Sequence, residues 1–129
     1  MTAALPLAHV LAVAGGAAAG GVARWRVGVW LHGAQPGGVP LGTLAVNCVG
    51  GLLIGMALAW FERVPNEALR LLLVTGFLGG LTTFSSFSGE SLVLLQRGQL
   101  SSALGHTAAH VLGSLGFAAL GYWVLHARA

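Results

Sequence analysis

The chain has 129 residues, of which 56% are hydrophobic and only 7% charged. A water-soluble domain carries roughly a quarter charged residues, so the composition excludes a soluble enzyme or a soluble nucleic-acid binder. Six Arg and no Lys stand against three Glu, for a net charge of +3. The Arg are scattered, whereas a nucleic-acid surface needs a clustered basic patch. They read instead as juxtamembrane anchors. The length allows a single domain, 1–129.

A bilayer-crossing helix needs about 20 mostly apolar residues, and four segments meet that need. The first spans about 5–23 and stops at Arg24-Trp25-Arg26. Within it, Ala12-Val13-Ala14 loosely resembles a signal cleavage site. The first positive side chain is Arg24, however, so a basic leader region is missing and the segment reads as a retained span. Gly33 to Pro40 is rich in Gly and Pro and reads as a loop. The second span covers about 41–61 and stops at Glu62-Arg63. Cys48 lies inside it, alone and without zinc-ligand spacing, as a small hydrophobe. Pro65-Asn66-Glu67 then reads as a helix start, with Asn66 the N-cap. The third span covers about 68–96, Gly98 forms the next turn, and the fourth covers about 100–125. Trp25, Trp30, Trp60, Tyr122 and Trp123 fall near span ends, where aromatic belts form.

Four spans put Arg63, Arg70 and Arg128 on one side of the membrane and Arg24, Arg26 and Arg97 on the other. Orientation follows an excess of Lys and Arg on the cytoplasmic side, and here there is none. Insertion in both orientations is the expectation, which would permit an antiparallel homodimer. The alternative is one orientation set by Glu placement or by a partner. Gly16 and Gly20, and likewise Gly51 and Gly55, are four apart, a spacing that lets helices approach closely in lipid. Gly113, Gly116 and Gly121 form a third small-residue stripe.

The third span is the unusual one. At about 1.5 Å per residue, residues 68–96 would make about 43 Å of helix, more than a hydrocarbon core of about 30 Å. Ala68 to Phe77 reads as an ordinary apolar helix. Gly79-Gly80 and Thr82-Thr83 then predict a break at mid-membrane. Unwound backbone at that depth must be buried in protein or line a wet cavity. Its freed carbonyls could hold a cation, and the next helix N-terminus could favour an anion. The other reading is a kinked helix with hydroxyls bonded to its own backbone. Phe84 and Phe87 share one helical face, which Ser88 and Ser91 extend. A phenyl ring has a positive edge, so ring edges can touch an anion without placing a full charge in lipid. Asn47, Glu90, His106, His110 and Ser114 are further polar groups within spans, and such groups are functional candidates by default. For Asn47 an interhelical hydrogen bond is the other reading. For the two His it is satisfied packing or an interface position, and for His106 alternatively a place at the membrane surface.

These residues resemble the small fluoride channels of the Fluc/CrcB family. Gly15 to Arg24 is similar to the family's Gly-rich first helix ending in Arg. Gly42-Thr43-Leu44-Ala45-Val46-Asn47-Cys48-Val49-Gly50 resembles its Gly-Thr-x-x-x-Asn-x-x-Gly second helix. Gly76 to Ser88, followed by Glu90, resembles its third-helix signature. The resemblance covers nearly the whole chain. It implies an all-α, four-helix, antiparallel dual-topology homodimer in the plasma membrane of a prokaryote, with two fluoride pathways built from both subunits. It implies that Phe84 and Phe87 line the path, with Asn47 in contact with it and Thr83, Ser85 and Ser88 in the hydroxyl-rich stretch. It implies that the carbonyls of Gly79 and Thr82 hold a central structural sodium ion, and that Arg24 and Glu90 lie near the pathway ends. In the fourth helix the family often carries Tyr and then Ser four residues on. Here His110 and Ser114 stand at those positions, and His110 could add a donor or a pH dependence.

The function implied is passive, selective fluoride efflux that protects the cell, with no enzymatic step. The alternative is a small proton-coupled multidrug-type exporter, also a four-span dual-topology dimer. Such exporters need a carboxylate deep in the first helix, and residues 5–23 contain neither Glu nor Asp. A structural subunit would leave the hydroxyl-rich third span without a use. An intramembrane enzyme would need a nucleophile beside a base, and none is apparent.

Overall fold

Helix α1, Leu7–Trp30, starts directly after Pro6, whose carbonyl accepts from the amides of His9 and Val10. This computed structural model describes residues 4–128. The helix does not stop at Arg24 but runs on through Trp25 and Arg26 to Trp30. Charge ends an apolar span, but Arg is a good helix former and does not end the helix itself. A single 3-10 turn, Pro36–Gly38, with Gly37 at φ 63°, reverses the chain into α2, Leu41–Arg63.

The third stretch begins as expected at Asn66, whose Oδ1 accepts from the amide of Leu69 at 3.0 Å. Helix α3 covers residues 67–81. Over Leu71–Leu78 it is wound as a π-helix, and the ordinary α-helix expected over Ala68 to Phe77 is not what forms. This wider winding lies where α3 rests on α1 with almost no side chain between them. A Cβ on Gly16 would meet Leu72 and Phe77 backbone, one on Gly20 would meet Phe77 and Leu81 backbone, and one on Gly80 would meet Ala17 and Gly21 backbone. Helix α4, Phe84–Gln96, follows an extended pair, Thr82 (φ −87°, ψ 157°) and Thr83 (φ −151°, ψ 119°). Gly98 at φ 71° then turns the chain into α5, Leu100–Ala127.

Helix α5 packs chiefly on α2, again backbone to backbone. Gly51 sits on Ser114, Gly55 on Ala118, and Gly121 on Leu52. Gly116 meets nothing. At the far end Arg63 donates to the carbonyl of His126, and the Tyr122 hydroxyl donates to Glu62.

The buried core is thin. Val46, Leu78 and Leu81 form its centre, with Ala23, Val27, Leu53, Ile54 and Phe77 packed around them. Large apolar side chains cover the outside instead, among them Leu11, Leu112 and Trp123, each at least 60% exposed. Among the described residues there is no strand. Four stretches, Leu7–Trp30, Leu41–Arg63, Glu67–Gln96 and Leu100–Ala127, are long and apolar enough to cross a membrane.

Candidate functional site

The site is built around Thr82 and Thr83, where the backbone leaves the helix. The Thr82 amide and hydroxyl both donate to the carbonyl of Leu78, at 3.0 and 2.8 Å. Thr83 breaks the ladder. In a continuous helix its N–H would donate to the carbonyl of Gly79. Here it donates to Asn47 Oδ1 at 2.9 Å, and Asn47 Nδ2 returns a bond to the carbonyl of Thr83 at 3.0 Å. Asn47 therefore grips both backbone groups of one residue, as a paired strand would. The helix restarts at once because Thr83 caps it: its Oγ1 accepts from the Ser86 amide at 3.1 Å, a standard N-cap bond. The Gly80 carbonyl, also near the step, accepts from Arg24 Nε at 3.0 Å.

Asn47 Nδ2, which carries a second proton, lies 3.2 Å from His110 Nδ1. His110 is only 5% exposed and His106 is fully buried. The two rings lie edge to face at 4.5 Å. Phe87 covers both, 5.2 Å from His106 and 4.7 Å from His110, and Phe84 leans on Phe87 at 5.4 Å. Glu90 completes the cluster. Its Oε2 accepts from Thr43 Oγ1 at 2.9 Å, while its Oε1 stands 3.8 Å from His106 Nε2, too far for a hydrogen bond. That leaves Glu90 Oε1, both His106 nitrogens and His110 Nε2 buried without partners.

Two cavities meet at Thr83. An open groove of about 710 Å³ runs past Asn47, Thr82, Phe84, Phe87, His110 and Ser114, with Gly79 on its wall. On the other side, about 560 Å³ is bounded by Arg24, Trp25, Thr43 and Ser86. The proposed pathway residues thus fall in three places. Asn47, Thr83, Phe84, Phe87, His110 and Ser114 share the groove, as do Gly79 and Thr82. Arg24 faces the second cavity. Ser85 and Ser88 are exposed, although Ser85 Oγ lies 3.2 Å from Thr83 Oγ1. Thr43 was not anticipated. The available signal was spacing: Thr43 and Asn47 are four apart and share a helix face.

The described residues thus form four long apolar helices with polar groups gathered at one non-helical step. This is the build of a multi-pass membrane protein with a polar site between its helices. Residues 11–122 match the family described as CrcB-like protein, Camphor Resistance (CrcB), and the chain belongs to that family. It is 52% identical over 124 residues to a protein of Aromatoleum aromaticum, covering 95% of this chain and 94% of the relative. It is 50% identical over 125 residues to one of Bordetella petrii, covering 95% and 94%. It is 48% identical over 119 residues to one of Pseudomonas aeruginosa, covering 91% and 93%. All three relatives carry the name Fluoride-specific ion channel FluC. The chain is a multi-pass membrane protein of bacterial type.

Proposed function

We propose that this chain is a fluoride-selective channel that lets fluoride leave the cell passively, acting as an antiparallel dual-topology homodimer in the plasma membrane. The observation that carries the reading is its near-end-to-end similarity, at about half identity, to proteins named for fluoride-specific conduction. The groove supports it. Phe84 is 79% exposed beside the extended Thr82-Thr83 step, a poor arrangement for a protomer alone and a good one for a surface that a second copy covers. Four thin helices enclose little space, so a closed path needs residues from both copies.

In this reading the third span is broken at mid-membrane and the ion exchanges its water for fixed groups. Thr83, Ser85, Ser88 and Ser114 supply hydroxyls, His110 an imidazole, and Phe84 and Phe87 their positive ring edges. Arg24 and Glu90 stand near the ends. Each donor must be placed closely, because a lost hydration shell that is not replaced is expensive. Asn47 bears on the path through Thr83 and His110, since its amide oxygen and both amide protons are already engaged.

A structural sodium ion at the dimer centre belongs to the same proposal. The local chemistry fits a hard cation, which prefers oxygen ligands. Diversion of the Thr83 amide to Asn47 leaves the Gly79 carbonyl without its helical donor, and Thr82 is extended in the same groove. Gly79 and Thr82 would hold the ion through their carbonyls. Its positive charge would favour an anion nearby.

The test is fluoride efflux from liposomes holding the purified protein, with chloride as control and Phe84→Ile alongside. Fast fluoride efflux without chloride leak, lost in the variant, is the expected result. Well-folded dimers that pass no fluoride would refute the proposal.

A further inference from the structure

One buried group in the groove has an unfilled hydrogen-bonding capacity, and its chemical form can be deduced. Asn47 cannot be turned over. Its Oδ1 faces the N–H of Thr83 and its Nδ2 faces the carbonyl of Thr83. A flipped amide would set donor against donor and acceptor against acceptor. Backbone groups have fixed identities, so the orientation of Asn47 is fixed with them. The amide therefore presents an N–H to His110 Nδ1, 3.2 Å away, and Nδ1 must accept. A neutral imidazole carries one proton, which must then sit on Nε2. That nitrogen is buried and has no partner.

We infer that Asn47, clamped by the Thr83 backbone, locks His110 in the neutral Nε2–H form, and that this N–H is a hydrogen-bond donor the pathway offers to fluoride. The inference rests on the fluoride reading of the groove. It makes Asn47 a positioning residue and His110 the specificity-determining contact. A buried donor left unmade is costly, and a small anion stripped of water satisfies it. Phe87, 4.7 Å from His110, lies against the same ring. Glu90 Oε1 and the His106 nitrogens are also buried, and neither residue bonds to His110 Nε2.

Glu90, His106 and His110 bring ligand-type atoms within 4.8 Å of one another, which would otherwise suit a transition metal. A metal needs the lone pair of an unprotonated nitrogen. His110 Nε2 has none in the locked form, and Nδ1 is occupied by Asn47. The lock therefore opposes a three-ligand metal site.

The experiment uses full-length protein in lipid, labelled with 15N-histidine, with the His110 resonances identified by their loss in His110→Gln. The expected spectrum shows His110 protonated at Nε2 and bare at Nδ1. Asn47→Asp, which sets a carboxylate oxygen against Nδ1, moves the proton to Nδ1. In parallel, fluoride efflux falls about tenfold or more in His110→Leu, the scale of a lost bond to a charged group. His110→Gln, which keeps an N–H near the Nε2 position, loses less efflux than His110→Leu. An Nδ1-protonated His110 in the unsubstituted protein overturns the lock. So does binding of Zn2+, titrated as the metal alone, that disappears in His110→Gln. Equal efflux from the His110→Leu and unsubstituted proteins overturns the donor role. Absence of efflux from the unsubstituted protein overturns the fluoride reading instead, and the spectrum still decides the lock.

Discussion

Adjacent glycines in α1 give a sharp test of how the helices are held together. Gly20 and Gly21 are neighbours in sequence but not in surroundings. A Cβ on Gly20 would stand 2.8 Å from the Leu81 amide nitrogen and closer still to the Phe77 carbonyl, whereas a Cβ on Gly21 meets nothing within 4 Å. Gly16 and Gly15 repeat the contrast one turn earlier: Gly16 faces Leu72 and Phe77 backbone, and Gly15 faces open space. Neither backbone can rotate away as a side chain would. The helices must part by more than about half an ångström, which opens the close packing of the whole α1–α3 seam. Such overpacking costs about 1–3 kcal/mol. Ala gains up to about 1 kcal/mol over Gly in a helix interior. Gly20→Ala and Gly16→Ala should therefore destabilise by about 1–2 kcal/mol net, while Gly21→Ala and Gly15→Ala should be neutral or stabilise by up to about 1 kcal/mol. Thermal unfolding of the four purified variants in one detergent reads the order directly. Equal midpoints within each pair, or a Gly20→Ala protein more stable than Gly21→Ala, would refute the backbone-on-backbone seam.

Other consequences follow from single contacts. Asn47→Ala removes three interhelical bonds and strands both Thr83 backbone groups, so it should cost about 2–4 kcal/mol in the same unfolding assay. Thr43→Val takes from Glu90 its only hydrogen-bond donor among the described residues and should cost about 1–3 kcal/mol. Thr43→Val combined with Glu90→Leu should recover part of that loss, and a double-mutant cycle measures how much. Asn66→Ala removes the cap that starts α3 and should cost about 1 kcal/mol, with fluoride efflux unchanged. Tyr122→Phe loses only a solvent-screened bond to Glu62 and should leave the unfolding midpoint where it was.

The order and approximate bounds of the four apolar stretches follow from the sequence alone. Too few charges exist to wet a surface, and the apolar runs have bilayer length. Asn66 as a cap and the close-approach glycines at 16, 20, 51 and 55 were also readable, because caps and small-residue spacing act over a single helical turn. So was the common face of Phe84 and Phe87, which helical periodicity sets locally. What the sequence could not supply is which faces meet. The bonds from Asn47 to Thr83 and from Thr43 to Glu90 join different helices, and no periodicity within one helix specifies them. The same holds for the burial of His106. That residue is buried because α4 lays Phe87 over it. The π-wound stretch at Leu71–Leu78 lies where glycines on α1 and α3 bring two backbones together, a condition written in neither segment separately. Local chemistry thus settled the helices and their ends. Contact between helices, through backbones that only glycine lets approach so closely, decided which polar groups share one site.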